Sequence, residues 1–167
     1  SFLITGSPTW LYLSERLIQV PLGLFGVAVA LVSLPNLTEL FLKKDMKQIS
    51  SHSFKILRVL FLMGFGCFLG AYFFGDYIIE VLFKRGEFSS FDVGMTFLAL
   101  QGYAISLIFL LPQKYFNSLF FAISKTNMVV YTGLLSLFAN LILNYYFIFT
   151  IDLGHFGLAL ATSISSI

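Results

Sequence analysis

Charge is the scarcest resource in this chain. Only 11% of the residues are Asp, Glu, Lys or Arg, against 58% hydrophobic residues, and the mean hydropathy is +0.91. A soluble domain carries about 25% charged residues, and a chain this short has too little core to hide 21 Phe and long aliphatic runs. Lipid removes that conflict, because apolar surface facing acyl chains costs nothing to expose. One cysteine, Cys67, excludes a disulfide framework, and it sits in the apolar run MGFGCFLGAYFF as a small hydrophobe. The two histidines, His52 and His155, lie far from any second metal-ligating cluster, so no metal site is expected. A net charge of +2 gives no reason to expect a nucleic-acid partner. No nucleophile–base pair or glycine-rich phosphate loop is present, so the chain is not read as an enzyme and no cofactor is expected. The first residue is Ser1, without a basic-then-apolar leader, and the last, Ile167, falls inside the apolar run GLALATSISSI. Both ends are read as internal to a longer protein.

What is abundant is apolar sequence of bilayer length. A spanning helix needs about 20 mostly apolar residues, whereas barrel strands are about 9–11 alternating ones. The runs here are of the first kind. The expected class is therefore an all-α integral membrane protein with about five transmembrane helices, near 8–42, 54–83, 90–111 (or on to Ile123), 128–151 and 156–167; residues 1–5 close an earlier helix. Pro8 suits a first helical turn. Ser89-Ser90-Phe91-Asp92 after Gly86 reads as a capping box opening the third helix. Asp152-Leu153-Gly154 separates the last two, and 43–53 reads as a polar loop.

Lys and Arg set the orientation. Lys43, Lys44, Lys47, Lys55 and Arg58 in one loop, with Lys114 and Lys125 in the next-but-one, outweigh Lys84 and Arg85 on the other side. The positive-inside bias then makes the 43–58 loop cytoplasmic, leaving the acids Asp76, Glu80, Glu87, Asp92 and Asp152 outside. The basic loop also favours anionic membrane lipids. His155 falls in the outer turn and reads as a loop residue.

Arg16 fits neither side. It follows Glu15 about two turns into the first helix, and an ionisable residue within a span is a functional hypothesis by default. Tyr12, Glu15, Arg16, Gln19, Gly23 and Gly26 follow helical spacing on one face, a stripe that needs water or protein beside it. The competing reading is an interfacial pair with Arg16 snorkelling. Pro21 permits a kink beside the stripe.

The stretch SERLIQVPLGLFGVAVALVSLPNL resembles the A-D-R-L-x-x-x-P-x-G-x-x-G-x-A…L-P signature of the MurJ/MviN lipid II flippases. LFKRGEFSSFD is similar to that family's LF-x-x-G-x-F-x-x-x-D loop, LALQGYAISLIFLLPQKYFNSLFFA to its L-x-x-Y-x-x-G-L…FYA helix, and NLILNYYFI…LGHFGLALATS to its closing pair. The motifs are collinear over nearly the whole chain. Glu15 replaces the usual Asp, Ser106 stands where Gly is common, and Lys125-Thr126-Asn127-Met128 lacks the D-T-x-T-P pattern.

The resemblance implies a fourteen-helix, two-lobe transporter of the multidrug/oligosaccharidyl-lipid/polysaccharide exporter type, with this chain supplying helices 8 to 12 of the second lobe. It implies a bacterial inner-membrane, multi-pass flippase that moves lipid II to the outer leaflet by alternating access. Its partners would be lipid II, membrane lipids and the first lobe. Arg16, supported by Glu15 and Gln19, would bind the substrate's diphosphate in a cationic cavity. Asn140, Asn144 and Thr162 become candidate ion ligands, with Na+ or the membrane potential as the coupling force; plain interhelical amide bonding is the other reading of these residues. Two further functions stay open: export of another polyprenyl-diphosphate glycan, and a non-transporting membrane scaffold.

Overall fold

The computed structural model describes residues 6–149 and 154–165. Helix α1 (Ser7–Pro21) runs through a π-helical stretch (Leu22–Val27) into α2 (Ala28–Leu42) without leaving the helical path. Helices α3 (Met46–Phe83), α4 (Ser90–Ala104), α5 (Leu107–Ala122), α6 (Thr126–Phe149) and α7 (Gly154–Ser165) follow. Among the described residues three helical segments are long and apolar enough to cross a membrane: Ser7–Leu42, Met46–Phe83 and Thr126–Phe147. A fourth results if α4 and α5, bent by 47° at their junction, count as one span. Residues 1–5, 150–153 (with the Asp152 break) and 166–167 lie outside the described residues.

Local chemistry accounts for the boundaries. Asp45 caps α3 by accepting from the Gln48 amide at 3.0 Å, so this helix starts at Met46 rather than near 54. The expected 43–53 loop is thus reduced to a turn, and Lys47, Lys55 and Arg58 ride on the helix. At about 1.5 Å per residue the 38 residues of α3 exceed the hydrocarbon thickness, so its basic first turns can project beyond it. The α2 and α5 ends share one device. Lys44 (φ 53°) and Ser124 (φ 56°) are left-handed, and the next amides, of Asp45 and Lys125, reach back to the Leu40 and Phe120 carbonyls. Both ends are Schellman caps made without glycine.

The expected third span, 90–111 or on to Ile123, is built as two helices bent at their junction. Pro112 has no N–H for the Ile108 carbonyl, and the Ser106 hydroxyl donates to the Tyr103 carbonyl at 2.6 Å, which bends the path at Ile105–Ser106. The bend places α4 against α1, α3 and α7, and α5 against α2 and α3, so these two helices form the centre of the bundle. Ile18, Ile79, Leu100, Tyr103 and Leu107 pack around one half; Leu37, Leu60, Leu111 and Tyr115 pack around the other. Small residues set the closest approaches. A β-carbon on Gly64 would lie 2.7 Å from the Leu107 carbonyl oxygen, and one on Gly102 would lie 2.8 Å from the Ala159 Cβ. Outward, α3 exposes Phe54, Phe65, Phe73 and Phe74, surface that only lipid or further protein leaves uncosted.

Candidate functional site

Helix α1 has two faces with different tasks. Ser7, Trp10, Ser14 and Ile18 recur at helical spacing and are buried. The Ser14 hydroxyl shares its proton between the Trp10 carbonyl at 2.6 Å and the Thr96 carbonyl at 2.8 Å, which holds α1 against α4. At the end of the same face, Trp10 Nε1 donates to Asp92 Oδ1 at 2.9 Å. The other Asp92 oxygen accepts from the Ser89 amide and hydroxyl, completing the capping box expected from SSFD. One carboxylate therefore starts α4 and anchors α1.

Tyr12, Glu15, Arg16 and Gln19 occupy the exposed face. Gln19 stands between the two charges: its Oε1 accepts from Arg16 Nη1 at 2.9 Å, and its Nε2 donates to Glu15 Oε1 at 3.1 Å. The guanidinium lies 4.8 Å from the Tyr12 ring centroid, a cation–π distance. The Arg16 plane is fixed by one hydrogen bond and one ring, and its Nη2 and Nε have no hydrogen-bond partner among the described residues. A fork so held can take a planar or tetrahedral oxyanion from the open side.

The stripe ends sooner than its spacing predicts. Gly23 is open, with nothing within 4 Å of a β-carbon placed there, but Gly26 is buried against Leu111 and Lys114. Pro21 removes the N–H that would bond the Leu17 carbonyl, and the wider π turn that follows slips the register. Gly26 thereby moves to the packed face.

The second candidate cluster joins α6 to α7. Asn144 Nδ2 donates to Asn140 Oδ1 at 2.9 Å, and Asn140 Nδ2 donates to Ser165 Oγ at 3.1 Å, with Thr162 Oγ1 at 3.4 Å. The Ser136 hydroxyl donates to the Ser165 carbonyl. Asn144 Oδ1 is buried and has no hydrogen-bond partner among the described residues. Buried Tyr103 stands between the two clusters, near Thr162 and within range of the Glu15 charge. Tyr103, Ser165, Ser136 and Trp10 were not singled out from sequence. Ser165 and Ser136 carried a signal, being one turn from Thr162 and Asn140.

Two readings of charged or polar residues are corrected. His155 is not a surface loop residue; it is buried in the first turn of α7, with Nε2 3.2 Å from the Met95 carbonyl oxygen and its ring 5.5 Å from that of Trp10. Lys114 is not in a loop; it lies inside α5. Among the described residues no group of three His, Cys, Asp or Glu side chains could hold a metal ion.

Comparison with known sequences agrees with this architecture. The family model described as "Lipid II flippase MurJ" matches residues 1–167. A "Probable lipid II flippase MurJ" of Vibrio cholerae serotype O1 is 35% identical over 99% of this chain and 31% of its own length. The proteins of the same name from Haemophilus influenzae and Helicobacter pylori J99 are 30% and 31% identical, over 99% and 100% of this chain and 33% and 36% of their own lengths. The chain spans about a third of the length of the curated relatives it matches.

Proposed function

Because the chain belongs to the lipid II flippase MurJ family, we propose that it is part of a flippase of the bacterial inner membrane that carries lipid II to the outer leaflet. The observation that carries this reading is the exposed Arg16 guanidinium, oriented by Gln19 and Tyr12 on a helix long enough to span the bilayer. Lipid II is an undecaprenyl diphosphate bearing a disaccharide-peptide, and its anionic diphosphate must cross about 30 Å of hydrocarbon. Guanidinium stays charged when desolvated and matches phosphate oxygens with two parallel N–H donors. Glu15, reached through Gln19, holds the amide in the orientation that aims the fork. Rocking of this bundle against the other lobe would expose the head group outside while the tail remained in lipid.

The orientation that goes with this function puts the Lys43 end of the bundle in the cytoplasm. Lys43, Lys44, Lys47, Lys55 and Arg58 gather there, against Lys84 and Arg85 at the opposite end. For coupling, the α6–α7 cluster favours Na+. The orphaned Asn144 Oδ1, with Asn140 Oδ1 and the Thr162 hydroxyl, offers the neutral oxygens such an ion takes in membrane transporters. A cell depleted of its own lipid II flippase tests the main reading. The full-length protein should restore growth, its Arg16→Ala variant should not, and Arg16→Lys should do so in part.

A further inference from the structure

Lys114 is the one Lys, Arg, His, Asp or Glu of α5, and it sits eight residues before the end of that helix, about 12 Å along the axis. Its stem is packed rather than free: a β-carbon on Gly26 would meet Lys114 Cγ at 3.2 Å and Leu111 Cδ2 at 3.2 Å. One turn on, Ser118 Oγ donates to the Ala30 carbonyl at 3.1 Å, so the Leu111–Lys114–Ser118 face of α5 is the face seated on the π stretch and α2. Gly26 provides the room for the lysine stem. Among the described residues, ion pairs join Lys43 to Glu39 and Lys84 to Glu80, and no carboxylate lies within 4 Å of the Lys114 ammonium. A lysine held within a helical span, with no acid beside it, is a functional hypothesis by default, and its charge calls for an anionic ligand.

We infer that Lys114 is a second anion-binding residue for the diphosphate, acting before Arg16 on the way from the Lys43 end of the bundle. The inference rests on the reading of Arg16 given above. Arg16 and Gly26 are ten residues apart, about 15 Å along the helix. No diphosphate bridges that length, so the two cations act in series. Gly23, open on the exposed face between them, leaves that surface of the helix without a side chain. The two cations differ in kind, as serial stations should. Lysine offers a mobile point charge that captures and releases, and arginine a fixed fork that orients.

The test uses the purified full-length protein and two probes, undecaprenyl diphosphate and uncharged undecaprenol. Lys114→Gln should weaken binding of the diphosphate about ten-fold or more, the scale of one charge-assisted hydrogen bond, and leave undecaprenol binding unchanged. Lys114→Arg should bind the diphosphate within about three-fold of the parent, since charge and stem persist. Arg16→Ala serves as the reference. If it weakens diphosphate binding and Lys114→Gln does not, the role of Lys114 is refuted and that of Arg16 stands. If neither does, the diphosphate reading of the whole face fails. Equal weakening of both probes by Lys114→Gln would assign the lysine to packing on Gly26 and overturn the inference.

Discussion

The indole N–H of Trp10 and the carboxylate of Asp92 meet at 2.9 Å, joining the first turn of α1 to the capping box of α4. The same indole packs edge-on to Phe91 and His155, so three helices are tied at one point. Trp10→Phe removes the donor and part of a buried ring, leaving an aromatic face toward Phe91 and His155. It should lower the thermal midpoint of the full-length protein in detergent by about 2–4 °C. Asp92→Asn, which also removes charge from the α4 cap, should lower it at least as far.

Gly64 and Gly66 lie two residues apart in α3 yet predict opposite outcomes. A methyl on Gly64 would strike backbone, 2.7 Å from the Leu107 oxygen and 2.9 Å from the Ile108 Cα, which cannot rotate away. Gly64→Ala should destabilise the α3–α5 contact by about 1–3 kcal/mol. Gly66→Ala meets nothing within 4 Å and should be neutral or stabilising by up to about 1 kcal/mol, through helix propensity. Thermal unfolding of the two variants side by side checks the difference.

At the Lys43 end, Lys44 and Ser124 hold a left-handed backbone that costs an L residue about 1 kcal/mol. Lys44→Gly and Ser124→Gly should each raise stability by about that amount while leaving both Schellman caps in place. A fall in thermal midpoint for both variants would mean that the two ends are not capped in this way.

Sodium should stabilise the full-length protein relative to choline at equal ionic strength, because a ligand that binds only the folded state shifts unfolding by mass action. The shift should vanish in Asn140→Ala and in Asn144→Ala, each of which removes an amide oxygen from the α6–α7 cluster. Interhelical bonding alone would make the variants less stable in both salts by the same amount.

The features legible in the sequence were those with local causes. Apolar runs located the helices, and Ser89 with Asp92 marked the start of α4, because a capping box needs only residues three apart. The polar face of α1 was legible as far as Gly23, and it failed at Gly26 because a 3.6-residue period cannot anticipate a π turn after Pro21. The start of α3 was misplaced because the Asp45–Gln48 cap lies among basic residues that read as loop. Lys114 reads as a loop residue because Pro112, Gln113 and Lys114 interrupt the apolar run, although α5 continues through them. His155 depends on Trp10 and Met95, far away in sequence, and no local pattern reports that burial.

The most direct measurement is the rate at which fluorescent lipid II crosses the bilayer in proteoliposomes of the full-length protein. With Arg16 intact the rate should exceed that of protein-free vesicles, with Arg16→Lys it should be partly retained, and with Arg16→Ala it should fall to the protein-free level. A rate for Arg16→Ala equal to that of the parent would contradict the account, since it would leave the diphosphate crossing without the guanidinium on which the site is built.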